Sequence, residues 1–264
     1  MRCHSLALIA DAGHNLGDVL ALALAWGAEV LATRPPSVQR TYGLRRASIL
    51  AALANSILLL VAVGGIALEA IRRFMVPQPV AAGPVIAVAA AGVAINGATA
   101  MFFFRSRKSD INLRAAFSHM AADAGVSLGV VVAGVLIVLT GRAWLDPLAS
   151  LLIALAIVWA TWGLLHESLG LAMDAVPFGI DPTAVASYLR AVPGVTALHD
   201  LHIWAMSTTE AALTAHLVMP SAPADDARLR EVAGALHAKF GIGHTTIQVE
   251  CGDGPCGQAA DEVL

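Results

Sequence analysis

The chain has 264 residues, 58% of them hydrophobic and only 13% charged, with a formal net charge of −3 at pH 7. A soluble domain ordinarily carries roughly 25% charged residues, so this composition excludes a wholly soluble protein, and the lack of a basic patch interleaved with aromatics argues against nucleic acid as a partner. Three cysteines, Cys3, Cys251 and Cys256, are too few and too unevenly spaced for a disulfide framework.

The apolar residues are concentrated in 1–173, and 174–264 reads as an ordinary soluble domain. The boundary falls near Asp174–Pro182. A membrane helix needs about 20 mostly apolar residues. Five such stretches follow in order: Leu6–Ala32, Ser48–Ile71, Ala81–Phe104, Leu113–Leu139 and Trp144–Leu165. The first is too long for a signal peptide and carries Asp11, His14 and Asp18 within it. Small residues such as Gly64, Gly65, Gly125, Gly129 and Gly134 let such helices approach closely.

Lys and Arg favour the cytoplasmic side. The loop after the first span holds Arg34, Arg40, Arg45 and Arg46, and the loop after the third holds Arg105, Arg107, Lys108 and Arg114. The other two loops are poorer in cations. Both basic loops, and everything after the fifth span, are therefore expected in the cytoplasm, and an odd number of spans puts the N-terminus outside.

The soluble segment reads as mixed α and β. Pro182–Ala191 is a helix opened by Asp181 as N-cap with proline in the first turn. Val195–Ala205 alternates like a strand, with His199, Leu201 and Ile203 on one side and Asp200, His202 and Trp204 on the other. Glu210–Met219 is a second strand. Ala224–Phe240 is a helix with Asp225 and Asp226 in its first turn, and Thr245–Glu250 is a third strand. Two helices on one face of a small sheet make an α+β sandwich.

Ionisable groups inside a bilayer are costly, and they mark function by default. His14 and Asp18 lie one turn apart on one helix face, and His119 with Asp123 repeats the spacing on the fourth span. Two imidazoles and two carboxylates make a tetrahedral zinc shell. These ligands must shed protons to bind, so metal and proton compete for the same groups, which is a physical basis for antiport. Asp11 lies on the same stripe, either as an access-path residue or as a polar partner. Asn55 and Asn96 suit hydrogen bonds between helices, and Glu29, Glu69 and His166 lie near span ends. An intramembrane metallohydrolase is disfavoured, because the four ligands close the shell and no H-E-x-x-H occurs. Cys3 and His4 carry no assigned role.

Ala10-Asp-Ala-Gly-His14-Asn-Leu-Gly-Asp18, Tyr42-Gly-Leu-Arg45-Arg46, Asn112-Leu-Arg-Ala-Ala-Phe-Ser-His119-Met-Ala-Ala-Asp123 and His199-Asp-Leu-His202-Ile-Trp204 together resemble the cation diffusion facilitator family, in its zinc-transporter branch. The resemblance runs from about Ser5 to Glu250. It implies a secondary active transporter rather than an enzyme: a zinc/proton antiporter working as a homodimer in a bacterial-type inner or plasma membrane, in contact with lipid. It also implies a six-helix membrane fold with a ferredoxin-like, dimerising cytoplasmic domain. In the family, metal is held between the second and fifth helices by residues that map to His14, Asp18, His119 and Asp123. The histidine at position 14 goes with zinc over cadmium, with Co²⁺ and Cd²⁺ as further candidate cargo.

The resemblance further implies regulatory zinc in the cytoplasmic domain. His199 and His216 map as ligands, followed by His244 and Glu250, although the family often has a histidine where this chain has Gly243. Cys251 and Cys256 resemble the family's terminal thiols and are either metal ligands or unused, while His202 and His237 are read as structural. Five spans are legible where the family has six, the chain opening at what resembles the end of the first. The alternative expectation is thus a transport-inactive metal-binding or partner subunit.

Overall fold

The computed structural model describes residues 5–76, 78–104, 111–220, 226–252 and 256, except for the side chains of residues 21, 103, 111–116, 118 and 119. Cys3, His4, the cations of 105–110 and Asp225 lie outside these residues. The helices are α1 (Leu6–Ala32), α2 (Ala47–Met75), α3 (Ala82–Phe104), α4 (Ile111–Thr140), α5 (Leu145–Ala172), α6 (Pro182–Arg190) and α7 (Asp226–Phe240). The strands are β1 (Ala197–Ala205), β2 (Ala211–Val218) and β3 (Ile242–Glu250). Among the described residues, α1 to α5 are long and apolar enough to cross a membrane. The chain divides into two compact units, one of residues 1–23 and 54–163, the other of 24–53 and 164–264.

In the first unit, Ala7, Ala10, Val63, Val85, Ala89, Val130, Ile153 and Ile157 form a shared apolar core. The outward faces are apolar too: Leu16, Leu58, Val61, Leu155 and Trp159 are exposed, as a lipid-facing surface requires. Lipid offers no hydrophobic drive to bring helices together, so close packing of small residues must do it. At Gly92 on α3, an added Cβ would lie 3.0 Å from Ser127 Oγ of α4, so a side chain there would press on the Ser127 hydroxyl. The start of α1 is capped from α5. Asp146, 1% exposed, accepts from the backbone N–H of Leu6 at 2.7 Å and of Ala7 at 3.4 Å, and from the Ser5 hydroxyl.

The second unit contains the soluble domain. Asp181 caps α6 by accepting from the Thr183 N–H at 2.9 Å, with Pro182 in the first turn. The sheet has the order β1-β2-β3, with β1 and β2 antiparallel and β2 and β3 parallel. The α-β-β-α-β order meets the ferredoxin-like expectation. One sheet face is covered: Val185 and Leu189 of α6 and Val232 and Leu236 of α7 pack with Leu198, Leu201, Leu213, Leu217 and Ile242. Full burial of one such leucine contributes about 1.5–3 kcal/mol. In the same unit Arg45 bonds Glu210 at 2.8 Å, Arg46 pairs with Asp174, and the Thr208 N–H donates to Ser48 Oγ at 3.2 Å. Gly43, in the loop before α2, has φ 71°, and a Cβ there would lie 3.2 Å from the Arg34 carbonyl oxygen.

The expected alternation of β1 is corrected. Asp200 takes φ 52°, and the register against β2 shifts between His199 and His202. Such a bulge inserts one extra residue and turns the strand. Leu198, Leu201, Ile203 and Ala205 are the buried positions, so His199 lies on the face opposite Leu201 and Ile203, not with them.

Candidate metal centres

Two groups of His, Cys, Asp and Glu have ligand atoms all within 4.8 Å of one another among the described residues. The first is His14, Asp18 and Asp123. Helical spacing stacks His14 over Asp18 on α1, with His14 Nε2 3.8 Å from Asp18 Oδ2. From α4, Asp123 Oδ1 reaches to 3.2 Å of the same nitrogen. Asp123 is buried, while His14 and Asp18 are partly exposed. An imidazole nitrogen and two carboxylates converging in spans of this length make an anionic nitrogen-and-oxygen donor set suited to a divalent cation such as zinc. His119 lies one turn before Asp123 in the backbone of α4, but its side chain is outside the described residues.

Asp11 is not part of this group. It is 5% exposed, and the Ser127 hydroxyl lies 2.9 Å and 3.0 Å from its two oxygens. Of the two readings left open by sequence, the geometry gives it a polar partner between helices.

The second group, His199, His216, Glu250 and Cys256, follows from strand register. His199 faces His216 across β1 and β2, and Val218 faces Glu250 across β2 and β3. All three side chains therefore stand on the sheet face away from the helices. His199 Nε2 is 3.1 Å from Glu250 Oε2, and His216 Nδ1 is 3.0 Å from Glu250 Oε1. Cys256 Sγ is 3.5 Å from His216 Nδ1. The Cys256 thiol, together with His199 and His216, holds the Glu250 carboxyl below its usual range against the opposing effect of burial. His199 Nδ1 is buried with no hydrogen-bond partner among the described residues. Two nitrogens, a carboxylate and a thiol form a donor set that fits zinc.

Two sequence candidates lie outside this group. His244 is on the same sheet face but six residues before Glu250, about 20 Å along an extended strand, and its ring packs edge-on against Tyr42 at 5.6 Å. Cys251 is exposed. One residue passed over in the sequence belongs beside it: Asp200 Oδ2 is 3.4 Å from His216 Nε2, and Oδ1 is 2.9 Å from His202 Nε2. Simple alternation could not reveal it, because the bulge is a register effect.

Comparison with known proteins adds two family matches. The model described as the cation efflux transmembrane domain matches residues 1–171, and that of the cation efflux protein cytoplasmic domain matches residues 179–251. The metal cation efflux system protein CzcD of Cupriavidus metallidurans is 38% identical over 256 residues, covering 97% of this chain and 80% of its own. The metal-bound C-terminal domain of that transporter, a solved structure, is 42% identical and covers 27% of this chain and 99% of its own, with a TM-score of 0.26. The cadmium, cobalt and zinc/H(+)-K(+) antiporter of Bacillus velezensis is 33% identical over 252 residues, covering 94% and 80% of the two chains. Zinc transporter ZitB of Escherichia coli (strain K12) is 35% identical over 248 residues, covering 93% and 79%.

Proposed function

The chain belongs to the cation efflux family, as an integral inner-membrane protein with a cytoplasmic C-terminal domain, and on that premise we propose that it exports divalent metal ions, zinc first, in exchange for protons. The observation that carries this reading is the meeting of His14 and Asp18 from α1 with Asp123 from α4. His119 completes the set by repeating the His-x-x-x-Asp spacing one turn before Asp123. The zinc, cadmium and cobalt in the names of the relatives support this class of substrate, and one of those names is that of an antiporter.

The chemistry follows from the ligands. Imidazole and carboxylate bind a cation only when free of protons, so a proton arriving from outside displaces the metal and metal arriving from the cytoplasm displaces the proton. Histidine changes charge near neutral pH, so the exchange runs without extremes on either side. Since two helices supply the ligands, a relative movement of α1 and α4 changes the affinity of the site, which is what opening to alternate sides of the membrane requires.

His199, His216, Glu250 and Cys256 hold a resident zinc ion in the cytoplasmic domain, and the chain works as a homodimer through that domain. The description of the matched cytoplasmic family and the 4.8 Å donor cluster support these assignments. Zinc there supplies charge and fixed geometry, not a reacting group.

The test is zinc uptake into proteoliposomes carrying the full chain, with an internal zinc indicator and a pH-sensitive dye, beside His14→Ala and Asp123→Ala. Zinc entry with opposed proton movement is expected in the parent chain and is lost in both variants. Undiminished flux in Asp123→Ala would refute the intramembrane site. Zinc binding without flux in the parent would mark a metal-binding subunit instead of a transporter.

A further inference from the structure

Asp200 is neither a core residue nor one of the four clustered donors, yet its backbone is held in an unusual state. Only Asp174 and Asp200 are non-glycine residues with positive φ among the described residues. That region is disfavoured for residues with a Cβ and is tolerated best by Asn and Asp. Bulges recur beside functional sites, where they re-aim a side chain. Here the bulge does two things: it turns His199 to the open sheet face, and it sets the Asp200 carboxylate between two imidazoles. Oδ1 lies 2.9 Å from His202 Nε2 and Oδ2 lies 3.4 Å from His216 Nε2.

His216 is 7% exposed, and both of its ring nitrogens are engaged. Nε2 faces Asp200, while Nδ1 faces Glu250 at 3.0 Å and Cys256 at 3.5 Å. An ionised carboxylate only accepts hydrogen bonds. Both ring nitrogens face carboxylates, so it is the cation that selects the tautomer: when Nδ1 gives its lone pair to a metal beside Glu250 and Cys256, the ring proton sits on Nε2, where Asp200 lies 3.4 Å away to receive it. Histidines that bind metal through one nitrogen are generally oriented by a carboxylate or carbonyl on the other. We propose that Asp200 is the positioning residue of the cytoplasmic metal site, fixing the His216 ring in the Nε2–H tautomer with Nδ1 as the ligand atom. This rests on the reading above that His199, His216, Glu250 and Cys256 hold a cation. His202, read from sequence as structural, has a defined part: it donates to the other oxygen and stops the Asp200 carboxylate from turning away.

The test uses the purified full chain carrying His14→Ala, Asp18→Ala and Asp123→Ala together, so that the intramembrane cluster is removed, titrated with Zn²⁺ against a chromophoric chelator. Three further variants are compared in that background: His216→Ala, Asp200→Gly and Asp200→Asn. Glycine takes a positive φ freely, so Asp200→Gly removes the carboxylate without straining the strand. It is expected to weaken zinc binding by about 10–100-fold. Asp200→Asn keeps an oxygen that accepts from Nε2–H and is expected to restore most of the affinity. In ¹⁵N-histidine spectra of the zinc-loaded protein, His216 shows one Nε2–H tautomer in the parent and in Asp200→Asn, and loses it in Asp200→Gly. Parent affinity and an unchanged His216 signal in Asp200→Gly would overturn the proposal. Parent affinity in His216→Ala would remove the metal site itself, and the role of Asp200 with it.

Discussion

Replacing Ser127 by alanine tests whether Asp11 is an interhelical partner or part of the path to the metal. Ser127 is fully buried, and its hydroxyl is the one described side-chain donor to Asp11, at 2.9 and 3.0 Å from the two oxygens. In a soluble protein, a hydrogen bond to a charged group contributes about 1.5–3 kcal/mol. Within a bilayer, measured couplings average about 0.6 and reach about 1.7 kcal/mol, because the unfolded helices find other partners in the membrane. Asp11 is 5% exposed, and the Gly92 backbone closes one side of the pair, its missing Cβ position lying 3.9 Å from Asp11 Oδ2. Little room remains for a replacement partner, which puts the coupling at the upper end of the membrane range, about 1–1.7 kcal/mol. The assay is reversible unfolding in mixed micelles, followed by circular dichroism, for Asp11→Ala, Ser127→Ala and the double variant. The double variant is expected to cost less than the two single variants added together. Additivity to within about 0.3–0.5 kcal/mol, as for independent sites, would refute the reasoning and return Asp11 to the transport path.

Glu250 gives a pH prediction. Its carboxyl lies below the ordinary value of 4.5, chiefly through the Cys256 thiol. A lowered folded value means stability that is present above the unfolded value and is lost as pH falls through the folded one. Hydrogen exchange of β2 in metal-free protein should therefore quicken below about pH 4.5, and Glu250→Gln should remove that dependence; a parent profile identical to Glu250→Gln would reject it. At the other unit, Asp146→Ala removes the acceptor for the Leu6 and Ala7 N–H groups and should lower stability in micelles by about 1–2 kcal/mol, as for a lost helix cap. Asp146→Asn, which keeps one acceptor oxygen, should cost less, and equal losses for the two variants would count against capping.

The amino-acid sequence by itself determines that α1 to α5 are membrane helices, because a run of about 20 apolar residues is a local property that needs no tertiary partner. It also determines that His14 and Asp18 share a face, since one helical turn sets that distance. The helices α6 and α7 and the three strands follow from capping and alternation in the same way. Which α4 group meets His14 is not local. Asp123 reaches Nε2 at 3.2 Å only through the packing of one helix on another; the sequence grouped the two helices through their repeated His-x-x-x-Asp spacing and the family resemblance, without showing which atoms meet. The cytoplasmic cluster depends still more on tertiary structure. His199, His216 and Glu250 converge because strand registers align positions far apart in the chain. His244 is left far along β3 by that same register, and the tail brings Cys256 back to His216. The bulge at Asp200 reverses the expected side of His199, because a single extra residue in a strand exchanges the two faces for every residue beyond it.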